Sequence, residues 1–376
     1  MKKLTIPLLL IALLFACAGK TIEDIPNGNK KDKEESGGDG GKKELLYKWE
    51  KERTSLLDYH NMVLIYSGGS HRKYKWDEET IQPYVTYTDE SGTEHWLFDS
   101  FLFLEIHDGA GKMFAKGYTS QPANQRDWKN LVDHYFESRT CLGALNRVVG
   151  AAIKRIGEPG TKRRVVIGLP EPISDLKDWG TVSDRVMLDF SNTTHRLEAC
   201  KWYIDYVRSR FNEMNYMNLE LAGFYWIAEH AADTRSIMKE IGAYLNELNY
   251  TFNWIPYFKS YGYSEWKKFG FNYAYLQPNY FFQETIPYSR LTDACYLAIA
   301  YGMDMEMEFD ERALLGWGYR LKDYMKAFKE NGIWQNKRLA YYQGGTALFM
   351  LARSDKQEDQ ELYHQFCKFV VESVQH

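Results

Sequence analysis

The chain has 376 residues and a formal net charge of −4, from 47 basic and 51 acidic side chains, and 44% of its residues are hydrophobic. That composition excludes a disordered chain, and the near-balance of charge gives no overall electrostatic reason to expect nucleic acid as a partner. Aromatic residues make up 16%, with 28 Tyr and 11 Trp, more than packing alone requires. Rings that line a surface offer flat apolar faces on which a sugar can stack, although plain cores use them too.

Lys2 and Lys3 precede an apolar run from Leu4 to Ala16, shorter than the roughly 20 residues that cross a bilayer and matching a signal-peptide core. Leu14-Phe15-Ala16-Cys17 resembles the bacterial lipobox, in which the cysteine becomes the lipidated first residue of the mature protein. Residues 1–16 then form a lipoprotein signal peptide, and several acyl chains on Cys17 give stable anchoring where one chain is marginal. The alternative is an ordinary secreted protein cleaved near Ala16 or Ala18. Residues 17–43, rich in charge and glycine, cannot bury apolar surface and read as a flexible tether, with the folded domain spanning 44–376.

From there strands and helices alternate. The first strand, Met62–Tyr66, stops at Ser67-Gly68-Gly69. Asp77–Ile81 reads as a short helical turn, and Tyr84–Thr88 with Thr93–Trp96 as a β-hairpin inserted before strand two. The second strand, Phe98–Ile106, is apolar on both faces, as a parallel sheet covered by helices demands. Helical periodicity runs from Asp127 to Ile156, followed by strand three at Arg164–Leu169 and a helix at Arg196–Phe211. Strand four is Leu219–Glu229, an aromatic run that ends in a carboxylate. A helix at Thr234–Leu248, strand five at Phe252–Tyr257, a short helix at Ser264–Phe269 and strand six at Asn272–Gln277 come next. Then follow a helix at Arg290–Tyr301, strand seven at Met303–Phe309, a helix at Tyr319–Lys329 and strand eight at Leu339–Gln343. Thr346–Arg353 and Glu361–Val374 close the ring as helices. Eight such units in one large domain predict an α/β fold, a (β/α)8 TIM barrel, with a doubly wound sheet as the alternative. Cys141, Cys200, Cys295 and Cys367 show no CxxC spacing and read as buried free thiols, with an occasional disulfide in an oxidising compartment as the alternative.

In such a barrel the active site lies at the C-terminal ends of the strands. The residues found there are Ser67, His107, Asp108, Glu171, Glu229, His230, Tyr257, Lys259, Gln277, Asn279, Glu308, Asp310, Tyr342 and Gln343. This polar ring suits hydrogen bonds to sugar hydroxyls, with Trp226, Trp254, Tyr275 or Tyr280 as stacking faces.

Strand seven is the most informative stretch, because Asp304, Glu306, Glu308 and Asp310 alternate with Met303, Met305, Met307 and Phe309. Period two turns the apolar set toward the helices and the acids into the barrel, where they need partners or protons. Asp304 and Glu306 read as a buried structural network, and Glu308, at the mouth, as functional. Glu229 either favours the positive end of the following helix or acts as general acid and then base, opposite Glu308 as nucleophile. His107, Asp108 and His230 lack helical metal-site spacing, the glycine pairs lie in no nucleotide-binding context, and no GxSxG elbow is present, so neither metal nor cofactor is expected.

The lipobox, the FDSFLFL run at Phe98–Leu104, the GFYWIAE run at Gly223–Glu229 and the MEMEFD run at Met305–Asp310 resemble an uncharacterised family of bacterial lipoproteins grouped with the TIM-barrel glycoside hydrolases. The wider clan A glycosidases place their acid/base after strand four and their nucleophile after strand seven. The resemblance therefore implies Glu229 and Glu308 for those roles, although the clan has Asn before the acid/base where this chain has Ala228. It implies a hydrolase acting on a complex glycan, or a glycan-binding surface protein on the same barrel. Either would be anchored by lipid to the outer membrane, facing the periplasm or the cell surface.

Overall fold

The computed structural model describes residues 55–182, 186–232 and 234–373, within the compact unit Trp49–His376. The expected signal peptide (1–16), the expected lipidation site Cys17 and the expected tether to residue 43 lie outside the described residues.

Eight strands form the barrel: β1 (Asn61–Tyr66), β2 (Ser100–Leu104), β3 (Arg163–Leu169), β4 (Leu219–Trp226), β5 (Thr251–Trp254), β6 (Tyr273–Leu276), β7 (Asp304–Phe309) and β8 (Leu339–Gln343). Each pairs in parallel with the next, and β8 returns to β1, which closes the sheet. The chain therefore folds as a (β/α)8 TIM barrel. Its larger helices are α1 (Glu78–Val85), α2 (Gln125–Tyr135), α3 (Cys141–Ile156), α4 (Thr193–Met214), α5 (Arg235–Glu247), α6 (Ser289–Tyr301) and α7 (Gly318–Glu330). The short α8 (Ile333–Asn336) and α9 (Ala347–Ala352) precede α10 (Gln357–Ser373).

Period two holds on β7 and its neighbours. Phe309 and Tyr341 turn outward, their rings 5.1 and 5.6 Å from Phe366 of α10. Glu306 and Glu308 lie in register with Ala340 and Tyr342 on the opposite, inward face. Toward the other end of the barrel, the Tyr59 hydroxyl donates to Asn253 Oδ1 at 2.6 Å and lies 3.1 Å from Thr251 Oγ1.

Several boundaries differ from the sequence reading for identifiable reasons. The expected helix 127–156 is two helices. Asn124 and Asp127 form a capping box on α2, and the turn between the helices passes so close to Gly143 that a Cβ there would strike the Ser138 carbonyl. Asp77 is not part of a short turn but the cap of α1, accepting from Thr80 N at 3.0 Å. That helix takes up Tyr84 and Val85, so the hairpin strands shrink to Thr86–Thr88 and Glu94–Trp96. Strands four and five stop at Trp226 and Trp254, which frees Glu229 and Tyr257 for the rim. An excursion after β2, in which Lys112–Met113 pairs with Gln121–Pro122, left no clear trace in the sequence.

The β3–β4 ladder slips between Val165 and Val166, whose partners are Leu221 and Gly223, so β4 carries Ala222 as an extra residue. The irregularity brings Gly223 against β5, where a Cβ would collide with the side chain and carbonyl of Thr251. Gly223→Ala is expected to lower stability by about 1–3 kcal/mol, the usual cost of overpacking a core, as measured by denaturant unfolding. An unchanged midpoint would contradict this packing.

Candidate active site

Glu308 is fully enclosed, at 0% exposure, at the top of the inward face of β7. Three donors converge on it. Gln277 Nε2 reaches Oε1 at 3.0 Å, while the Asn279 backbone N–H and the Tyr324 hydroxyl reach Oε2 at 2.7 and 2.5 Å. Gln277 follows the last residue of β6, Pro278 turns the chain, and Asn279 at φ +54° aims its N–H at the carboxylate. Tyr324 comes from α7. Burial pushes the Glu308 carboxyl upward, and the three donors, which favour its ionised form, oppose that push.

Glu229, partly buried, is pushed up to about 7, first by burial and then by the negative charge of Glu308. The two carboxyls thus act on one another across the mouth. Below them Glu306, at 2% exposure, is held well above the usual carboxylate range by burial and then by Glu308 and Glu229.

Tyrosines wall this cluster. Burial, then Tyr342, Tyr225, Glu229 and Tyr118, raise the Tyr66 phenol, and Glu229 is the largest influence on Tyr118. The Tyr66 and Tyr342 rings meet edge to face at 5.6 Å, and Phe282 meets Tyr342 at the same distance. Tyr118 is 40% exposed and rides on the excursion after β2. Glu171 fastens that excursion: its N–H donates to the Phe114 carbonyl at 2.7 Å, and its Oε2 accepts from Lys116 N at 2.7 Å.

Beside Tyr66, Glu105 binds Arg72 through both oxygens, with Nε to Oε2 at 2.7 Å and Nη2 to Oε1, and also accepts from Gly69 N at 3.0 Å. A side chain at Gly69 would meet Glu105 Oε2 and the His71 ring, which would have to move aside. The Arg72 guanidinium lies 4.9 Å over the Tyr66 ring.

The mouth therefore brings together Glu229, Gln277, Glu308 and Tyr342 of the residues expected there, with Tyr257 partly buried at the rim and bridged to Gln277. Other expected ligand contacts are corrected. Trp226, Trp254 and Tyr275 are fully buried and present no face to a ligand. Trp254 stacks on Phe271 at 5.0 Å and donates to the Ala228 carbonyl at 2.7 Å, while Tyr275 is pushed up by burial and by Tyr59 beneath it. Tyr280 is also buried, donating to Asp323 at 2.6 Å. Gln343 is consumed internally, accepting from Tyr84 at 2.8 Å and donating to the carbonyls of Leu64 and Gly345. Asp108 caps its own turn through Ala110 N and Lys112 N, and Glu171 serves as the strut described above. Ser67 faces the helices, 2.8 Å from His134 Nε2.

Tyr66, Arg72, Glu105, Tyr118, Tyr225 and Tyr324 escaped the sequence reading. Glu105, directly after the apolar run of β2, and Tyr66, the last residue of β1, carried a positional signal. Tyr118 and Tyr324 reach the mouth from an excursion and a helix, where no strand-end rule applies. Among the described residues, no group of three or more His, Cys, Asp or Glu is placed to hold a metal ion. The four cysteines there are buried and free.

Residues 61–368 match the family described as Domain of unknown function (DUF4855). The chain belongs to this family. None of the curated proteins matches this DUF4855 barrel. Solved structures similar to it include a tryptophan synthase alpha-subunit from Pyrococcus furiosus, with 9% identity and a TM-score of 0.35, covering 84% of this chain and 99% of that one. A methylaspartate ammonia lyase from Clostridium tetanomorphum has 11% identity and a TM-score of 0.40, over 85% and 60% of the two chains. A ribulose-1,5-bisphosphate carboxylase/oxygenase from Pyrococcus horikoshii has 8% identity and a TM-score of 0.39, over 84% and 58%. Similarities at this level carry no argument about activity, and the barrel rests on the strand pairing.

A carboxyl raised in the folded state binds its proton more tightly there than in the unfolded chain. Its stabilising contribution is therefore complete below the unfolded value near 4.5 and is lost as pH rises through about 7. The stability difference between the wild type and Glu229→Gln should thus move against the wild type between these limits, as followed by unfolding at several pH values. A pH-independent difference would show that Glu229 titrates normally.

Proposed function

We propose that this DUF4855 barrel is a glycoside hydrolase that cleaves a complex glycan with two carboxyl groups. The observation that carries the reading is the unequal treatment of two acids at one mouth. Glu308 receives three hydrogen-bond donors and is suited to hold negative charge. Glu229 is raised to about 7 as Glu308 is, but burial and the charge of Glu308 act on it with no hydrogen-bond donor among the described residues to oppose them, so the proton is better held there. In this reading Glu229 protonates the leaving glycosidic oxygen while Glu308 attacks the anomeric carbon. Glu229 then takes a proton from the water that breaks the glycosyl ester and releases Glu308 as carboxylate. Tyr66, Tyr118 and Tyr342 supply ring faces for the sugar, in place of the buried tryptophans. Acyl chains on Cys17 would tether the barrel to the outer membrane, facing the periplasm or the cell surface.

A second reading, a glycan-binding protein without turnover, is favoured by the complete enclosure of Glu308. A glycan screen with product analysis separates the two. Under the hydrolase reading, Glu229→Gln and Glu308→Gln should each lower kcat by about 10²–10⁴-fold with glycan binding retained, the range expected for loss of a positioned acid or nucleophile. Activity of the wild type should fall as pH rises past about 7, where Glu229 gives up its proton. Binding to many glycans with cleavage of none would favour the second reading, and full activity of either variant would sink the assignment of that residue.

A further inference from the structure

The inward face of β7 carries one more carboxyl than a two-carboxylate mechanism needs. Glu306 lies two residues below Glu308 on that face, almost wholly enclosed, and its Oε2 has no hydrogen-bond partner. The charges acting on it are the like charges of Glu308 and Glu229. Its influence is felt by Tyr225 of β4, Tyr324 of α7 and Tyr342 of β8, all phenols that are themselves raised and carry no charge at neutral pH. The arginines of the rim are engaged elsewhere: Arg72 with Glu105, Arg312 with Asp310, and Arg320 with the carbonyls of Tyr280, Gln283 and Ile286.

We propose that Glu306 is a positioning residue, a neutral third carboxyl that limits the mouth to a single negative charge, so that Glu308 is the carboxylate and Glu229 the acid. The proposal rests on the two-carboxylate reading for its purpose, but not for its test. A buried carboxylate without a donor is costly, whereas Glu308 beside it already collects three donors. Negative charge therefore settles on Glu308, and Glu306 keeps its proton. Were Glu306 ionised as well, two charges would face Glu229 from one strand, and the acid could no longer give up its proton near neutral pH. Like charges confined together cannot all ionise, and the hydrogen-bond donors decide which one does.

Infrared difference spectroscopy of the full chain tests this without a glycan. In wild-type protein titrated to about pH 9, two units above the Glu229 midpoint, one protonated-carboxyl stretch should persist. Glu306→Gln should remove that band and leave the Glu229 midpoint where it was, because one neutral group has replaced another. An ionised Glu306 would not produce this pairing of a lost band with an unmoved titration. The proposal is overturned if the wild type retains no such band, or if Glu306→Gln shifts the Glu229 midpoint downward, as removal of a negative charge would. The wild-type titration keeps the proposal falsifiable if the variant does not fold. If the bands behave as expected but no glycan is cleaved, the hydrolase reading fails while the charge assignment stands.

Discussion

The interior of this barrel must accommodate acids that its own strand forces inward. Alternation along β7 leaves no choice: once Met305, Met307 and Phe309 pack outward, Glu306 and Glu308 face the lumen. Low polarizability there makes each ionised carboxyl expensive, and proximity makes two of them more so. The solution adopted is not neutralisation by cations. The donors offered to Glu308 are an amide, a backbone N–H and a phenol, all uncharged. Neutral donors stabilise one carboxylate without cancelling its field, so that field still reaches Glu229 and adds to the rise that burial causes there.

Such selectivity depends on loops that would otherwise be mobile. Asn279 sits in the connection after β6, and buried Arg320 of α7 grips that connection. Its Nη2 donates to the carbonyls of Tyr280, Gln283 and Ile286, the latter two at 2.9 and 3.1 Å, and its guanidinium lies 3.7 Å from the Tyr280 ring centre. Arg312 does the same one step further on, holding Asp310 and donating to the Phe282 carbonyl at 3.1 Å, which steadies the ring that meets Tyr342. Across the mouth, Glu171 and the Arg72–Glu105 pair fasten the segments that carry Tyr118 and flank Tyr66. Polar groups of the rim thus do two different jobs: a few face the lumen, and most lock the backbone that positions those few.

This division explains what could be read from the sequence. Strand order, closure and the inward acids were legible because period two and the strand-helix alternation are local patterns, and β8 was found at its observed bounds, Leu339–Gln343. Glu229 and Glu308 were legible because they end or follow such strands. Gln343 and Asp108 stand at equivalent positions, yet Gln343 is taken up by the Tyr84 hydroxyl and two backbone carbonyls and Asp108 by the N–H groups of its own turn, a difference of orientation that strand position does not encode. Tyr324 and Tyr118 were invisible for the opposite reason, since contact between distant segments brings them to the mouth. Trp226 and Trp254 were misjudged because a ring near a strand end can fall on either face, and these fall among the helices with Phe252 and Phe271.

The same partition accounts for the aromatic excess. Trp76, Trp128, Trp179, Trp226 and Trp254 are enclosed in the core, where their bulk buries the most apolar area, whereas the wall of the mouth carries tyrosines. A lysine or arginine could donate to Glu308, but its charge would lower Glu229 toward the ordinary carboxylate range and cost the mouth its proton. A phenol meets both requirements, because it donates to Glu308 as Tyr324 does and stays uncharged while Glu229 titrates. The choice of a phenol at Tyr324 thus follows from the acids on β7.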